Sequence, residues 1–284
     1  MTLRRAIRHA IARLIPGADP AVTPLPPMYP GGMRIGSEEE AAVREVVRQQ
    51  RLFRYYGPES GPSRVDAFEA AFRETMGGGH CVAVSSGTSA LFAGLAALGV
   101  GPGDEVIVPA YTWISSAAAI VAAGAVPVIA EIDSSLTLDP DDVERRVSPY
   151  TKAIMAVHMR GAPCRMDRLM DIARRHRLSV IEDVAQAAGG SFRGQRLGNI
   201  GDIGAFSFQY NKLLTAGEGG MVVTGDHHLH QRVLLFHDVA AAQRNQIPRA
   251  GELPGLTLRM SELHGAVLGV QLGRLEGLLA TWQN

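Results

Sequence analysis

Between residues 81 and 224 short apolar runs alternate with stretches of helical spacing, and few folds accommodate that rhythm. Residues 82–84, 105–108, 126–129, 153–157, 179–181, 205–208 and 220–224 read as strands. Helical patterns near 88–98, 113–123, 140–146, 165–177 and 227–237 fall between them. The strands are apolar on both faces, so both faces must be covered. This predicts an α/β fold with a mostly parallel sheet sandwiched by helices. Ligands of such sheets bind at the carboxyl ends of the strands, and the polar motifs of this chain fall there.

The upstream region is different. The first seventeen residues carry Arg4, Arg5, Arg8 and Arg13 with apolar residues at helical spacing, and they read as a basic helical appendage. Residues 16–32 hold six prolines and read as a linker. From Ser37 the run S-E-E-E-A-A-V-R-E-V-V-R has a cap and three acids in its first turn, a favourable helix start. A second helix is expected near 63–75. The intervening loop, 54–60, could present Tyr55 or Tyr56 to a ligand or lie plainly on the surface. The longest apolar stretch, 113–130, is broken by Ser115, Ser116, Gly124 and Pro127 and reads as helix, turn and strand rather than a membrane span.

Charge narrows the chemistry. Twenty-eight basic and 28 acidic residues cancel, which leaves no broad basic face and argues against nucleic-acid binding. Of the 28 basic residues only Lys152 and Lys212 are lysine; the rest are arginine. Arginine stays charged at any working pH, so chemistry that needs a deprotonatable amine has two candidates. Cys81 and Cys164 are far apart and lack metal-ligand spacing, so no metal site and no disulfide is expected. They read as cytoplasmic thiols.

Three motifs carry polar chemistry. Val84-Ser85-Ser86-Gly87-Thr88-Ser89 runs from a strand into a helix, and its free amides and hydroxyls suit a phosphate. The same turn also reads as an ordinary helix cap. Glu182 and Asp183, followed by Gln186, end a strong apolar strand. A carboxylate there must be paired or hydrogen-bonded, since isolation would cost several kcal/mol; a helix cap is the plainer reading. Lys212 lies between a strand and the turn Thr215-Ala216-Gly217-Glu218-Gly219-Gly220, whereas Lys152 reads as a solvated charge at a strand entry. A phosphate seat, an acid at a strand end and a deprotonatable lysine are together what pyridoxal 5'-phosphate requires.

The same stretches carry a resemblance. S-S-G-T-S-A-L, G-V-G-P-G-D-E-V-I-V-P-A-Y-T-W, A-G-A-V-P-V, V-H-M-R-G, I-E-D-V-A-Q-A, G-D-I-G-A-F-S-F and K-L-L-T-A-G-E-G-G stand in the order found in the DegT/DnrJ/EryC1/StrS aminotransferases, over about residues 37–280. The chain resembles this family of pyridoxal-phosphate enzymes with the aspartate-aminotransferase-like type I fold. The resemblance implies Lys212 as the Schiff-base lysine and Asp183 as the partner of the pyridinium nitrogen. It implies Gln186 near the cofactor's phenolic oxygen, Gly87, Thr88 and Ser207 at its phosphate, and Trp113 stacked on its ring. An ordinary core aromatic is the other reading of Trp113.

It further implies amino transfer from glutamate or glutamine to a keto-sugar, nucleotide-linked, or to a keto-cyclitol, by a cytoplasmic homodimer. Related dehydratases carry histidine at the lysine position, so Lys212 favours transamination. Another reaction on the same scaffold, such as elimination or epimerisation, and a non-catalytic remnant are the alternatives. Two departures stand out. Thr257 occupies the slot of an asparagine that in the family reaches the partner subunit's phosphate. The family also continues into a small C-terminal domain, so 33–284 reads as the large cofactor-binding domain, truncated before it. A closing helix with Leu263, Val267, Val270, Leu272 and Leu275 is then expected to expose an apolar face.

Overall fold

A computed structural model describes residues 34–55, 63–245, 247 and 253–282. The basic segment and linker, 1–32, lie outside the described residues, as does Tyr56. The chain opens with α1 (Ser37–Arg48) and α2 (Arg64–Met76) and then enters β1 (His80–Val84), α3 (Gly87–Ala97) and β2 (Glu105–Pro109). It continues through α4 (Ser115–Ala122), β3 (Val126–Ala130), α5 (Pro140–Arg146), β4 (Thr151–Val157), α6 (Met166–His176) and β5 (Ser179–Asp183). A small hairpin, β6 (Ser191–Phe192) and β7 (Gln195–Arg196), precedes β8 (Ile203–Ser207) and β9 (Gly220–Thr224). The last elements are α7 (His227–His237), α8 (Ala241–Arg244), α9 (Glu262–Leu272) and α10 (Leu275–Trp282).

Most helix starts follow their sequence signals, but the cap of α1 falls on Gly36, and Ser37, expected as the cap, is the first helical residue. In α1 the Glu39 carboxylate reaches back to the Gly36 N–H at 2.8 Å. Ser63 Oγ accepts from the Asp66 N–H of α2 at 2.8 Å, and Asp139 caps α5 directly before Pro140. Each such cap contributes about 1 kcal/mol. The Glu262 carboxylate at the start of α9 also takes the free Arg64 N–H of α2 at 2.6 Å, locking the two helices together.

Seven strands form one sheet in the order β1-β9-β8-β5-β4-β2-β3. Every pairing among β2, β3, β4, β5 and β8 is parallel, while β9 runs antiparallel to both β1 and β8. The mostly parallel sheet expected from the sequence is therefore present, with one reversed strand. The reversal matters, because it brings the first residue of β9 to the edge where the other six strands end.

Alternation sorts the side chains between two layers. Val82, Val84, Ile181, Ile203 and Ala205 pack under α3, α4 and α7. Cys81, Ala83, Phe206, Met221 and Val223 face α2, α9 and α10 on the other side. There Phe72 meets Phe206 edge to face at 5.1 Å and Phe68 meets Phe208 at 5.4 Å. Truncating Phe72 to alanine would cost roughly 3–5 kcal/mol. This layer corrects part of the expectation for the closing helix. It divides at Gly273 into α9 and α10, and of the residues expected on an exposed face Leu272 and Leu275 are buried against the phenylalanine cluster, while Leu263, Val267 and Val270 are half-buried. Cys81 and Cys164 are buried and unpaired. Among the described residues no helix is long and apolar enough to cross a membrane.

Candidate active site

The carboxyl ends of β1, β5 and β8 and the amino end of β9 converge on one edge of the sheet. Asp183, the last residue of β5, lies there on the α3/α4 face and is only 6% exposed. Ser116 Oγ, from the first turn of α4, donates to its Oδ2 at 2.9 Å, and the Ala185 N–H donates to Oδ1 at 3.1 Å. Thr112 Oγ1 stands 2.7 Å from Ser116 Oγ and extends the chain of hydroxyls. Burial pushes the Asp183 carboxyl above the usual carboxylate range, while Ala185, Ser116 and the Lys212 ammonium pull it back.

Lys212 sits in the loop from β8 to β9. Its N–H closes a turn on the Gln209 carbonyl at 2.9 Å, and Thr215 Oγ1 donates to the Phe208 carbonyl at 3.1 Å, so the loop is tied down on both sides of the lysine. Half-burial lowers the Lys212 amine below its ordinary value, and the nearby Asp183 charge opposes that. Lys152 is exposed on β4, as expected of a strand-entry charge.

The turn expected to seat an anion is built by close backbone approach. Ser86 caps α3: its Oγ accepts from the Ser89 N–H at 3.0 Å and its carbonyl from the Ala90 N–H at 3.0 Å. Among the described residues no acceptor pairs with the Gly87 or Thr88 N–H, which stay open at the positive end of the helix. A Cβ on Gly87 would fall 2.6 Å from Ser207 Cβ, and one on Gly220 would fall 2.2 Å from the Ser86 carbonyl oxygen. Only glycine lets β8, β9 and the start of α3 meet this tightly.

Trp113 is 67% exposed, which overturns the core-aromatic alternative. Gln186 is held by the Arg160 N–H, which donates to its Oε1 at 3.1 Å. Arg160 has a left-handed backbone (φ 52°), and its Nε donates to the Tyr111 hydroxyl at 3.3 Å. Thr257 is exposed in the strip beside the end of β1, where the Leu258 carbonyl accepts from the Ser85 N–H at 2.7 Å. Tyr55 turns inward instead of offering itself to a ligand. Its hydroxyl donates to His237 Nε2 at 2.8 Å, and Arg54 and Arg244 lie against its ring. Ser116, Tyr111 and Arg160 are the positioning residues that the sequence reading missed; the S-S pair at the start of α4 was the one available signal for Ser116.

The neighbour of Asp183 does something else. Glu182 is fully buried on the opposite face, where it accepts from His158 Nε2 at 3.0 Å and from the N–H groups of Gly198, Ile200 and Gly201 at 2.9, 2.7 and 2.8 Å. The Cys164 N–H donates to His158 Nδ1, so the ring proton sits on Nε2, facing Glu182.

The chain is 43% identical over 231 residues to the L-glutamine:2-deoxy-scyllo-inosose aminotransferase of Streptomyces kanamyceticus, covering 78% of this chain and 53% of that protein. The solved structure of 3-amino-5-hydroxybenzoic acid synthase superposes with a TM-score of 0.82 at 36% identity, over 90% of this chain and 66% of that one. DesV of S. venezuelae, solved in complex with a ketimine intermediate, gives 0.76 at 40% identity, over 84% and 62%. The chain thus spans little more than half the length of the curated relatives it matches. The profile of the DegT/DnrJ/EryC1/StrS aminotransferases matches residues 33–284, and the chain belongs to that family.

Proposed function

We propose that this chain holds the cofactor site of a pyridoxal-5'-phosphate-dependent aminotransferase. The amino group goes from glutamine or glutamate to the keto group of a polyhydroxylated ring, a keto-cyclitol or a nucleotide-linked keto-sugar. The observation that carries the reading is a buried carboxylate, Asp183, electrostatically coupled to a half-buried amine, Lys212, beside a capped helix start with open N–H groups.

The residues fit the cofactor. The Gly87 and Thr88 amides with the Ser207 hydroxyl suit its phosphate, and the exposed Trp113 ring can cover its pyridine. Asp183 is desolvated and short of a full cation, so a pyridinium N–H would relieve it and keep the carboxylate ionised. Bound pyridoxal phosphate supplies a carbonyl carbon that carries the amino group and a ring that accepts an electron pair. Lys212 Nζ would hold that carbonyl, and because burial lowers its proton affinity its amine could take the α-proton of the amino donor and give it up again. Asp183 would hold the proton on the ring nitrogen, and Ser116 fixes the carboxylate's direction. Gln186, steadied by Arg160, lines the same edge. The 2-deoxy-scyllo-inosose relative supports a cyclitol acceptor and glutamine as donor. The homodimer expected from the family is part of the proposal.

Lys212→Ala tests the reading. The wild-type protein with pyridoxal phosphate should show the visible band of the tethered cofactor and respond to glutamine. The variant should lose the band and at least ~10³-fold in turnover. An unchanged spectrum in the variant would sink the assignment.

A further inference from the structure

We infer that His80, His227 and His230 form a binding site for one divalent transition-metal ion of the zinc type, on the sheet edge opposite Lys212. Each imidazole offers one ring nitrogen, and the three nitrogens lie within 4.8 Å of one another. Among the described residues this is the one group of three potential metal ligands drawn so close. His80 begins β1 and is paired with Thr224 of β9, while His227 and His230 stand one turn apart at the start of α7. The donors thus come from two rigid elements. That helix start is already fixed, since Asp226 Oδ1 accepts from the His228 and Leu229 N–H groups.

The contacts within the cluster leave a need that a metal ion meets. His80 and His230 are stacked, with centroids 4.5 Å apart and planes 11° from parallel, and His227 closes the group at 5.4 Å from His80. The buried Nδ1 of His230 has no hydrogen-bond partner, a deficit that costs about 1–3 kcal/mol when nothing fills it. The Gln231 amide nitrogen donates to His227 Nε2 at 3.2 Å, which leaves Nδ1 as the ring nitrogen that faces an ion.

Three imidazoles without a carboxylate select zinc, nickel or copper over magnesium or calcium, which prefer oxygen. Ligands on a tetrahedral zinc ion at ~2.05 Å lie roughly 3.3 Å apart, so binding draws the cluster together by up to about 1.5 Å. It also requires His80 and His230 to turn out of their parallel stack until their in-plane lone pairs converge, and the exposed His227 to rotate inward. The ion would tie β1 to α7 and takes no part in chemistry at the other edge, so the inference is independent of the cofactor reading.

The test is calorimetric titration of tag-free, chelator-stripped protein with zinc chloride, alongside His80→Ala, His227→Ala and His228→Ala. His228 is exposed, adjacent and outside the cluster, so its variant is the control. We expect one ion per chain in wild type and in His228→Ala, with affinity at least ~10-fold weaker in each of the other two. The wild-type melting temperature should rise with zinc and that of His227→Ala should not. His227 is exposed, so its variant should fold even if His80→Ala does not. Equal zinc affinity in wild type and His227→Ala, or an equal loss in His228→Ala, would overturn the site.

Discussion

Glu182 and Asp183 are consecutive, both buried and both acidic, yet the two faces of β5 give them different employment. Glu182 has four donors around it and holds the 198–201 turn against the sheet. Asp183 has two donors and a cation it only partly shares. A saturated buried carboxylate behaves as a structural clamp, because every lone pair it needs is met inside the fold. An undersatisfied one stores a demand for a positive partner, and that demand marks a binding site better than acidity does.

The comparison breaks most visibly at Asp183. Asp183→Asn should cut turnover ~10³-fold or more, while the cofactor-free protein loses no stability in denaturant titration. The sign follows from burial. A carboxyl raised above its unfolded value binds its proton longer in the folded state, so stability falls as pH rises across that interval. Asparagine removes the penalty, and a cofactor-free variant clearly less stable than wild type at pH 8 would contradict this.

Glu182→Ala should do the reverse. Three backbone N–H groups and His158 lose their acceptor, and we expect roughly 3–5 kcal/mol of destabilisation, read from the denaturant midpoint. Turnover per folded molecule should stay within a few-fold of wild type. Next in size is His237, a fully buried base satisfied as a neutral ring between the Leu234 carbonyl and the Tyr55 hydroxyl. Burial, with Arg54 adding to it, lowers it to about 4. The unfolded chain therefore protonates first as pH falls. About 3 kcal/mol should be lost between pH 6.5 and 4, and His237→Gln should flatten that part of the stability curve. The smallest effect belongs to Ser116→Ala, which removes one donor from Asp183. We expect about 1.5 kcal/mol at the site, or ~10-fold in turnover, with a pH profile displaced upward. An unmoved profile would mean that Ser116 does not position the carboxylate.

Much of the fold was legible because period and polarity report locally. All seven sheet strands and the helices between them lie where the apolar alternation placed them, and Ser63 and Asp139 cap helices as their residue types suggest. What escaped depends on pairs distant in sequence. Ser116 meets Asp183 across 67 positions, and nothing in either local stretch announces it. Which of two adjacent acids faces the site is set by strand phase, and the family resemblance rather than the residue pattern selected Asp183. Tyr55 looked available because a loop tyrosine usually is; His237, from a helix much later in the chain, draws it inward. The burial of Leu272 and Leu275 was misjudged for the same reason, since their partners are the phenylalanines of α2 and β8.

The reversed strand β9 has a consequence for the order of assembly. Its hairpin with β8 is local, so the lysine loop can close soon after residue 224 is made. Its other partner, β1, pairs His80 with Thr224 across more than half of the chain. The entropy of closing so long a loop makes this contact late and slow. The anion seat straddles that seam, because Gly220 packs on Ser86 and Ser207 on Gly87. Under the proposed function, a nascent chain would display its lysine early yet complete its phosphate seat only when its first and last strands join. Cofactor capture would then report completed folding.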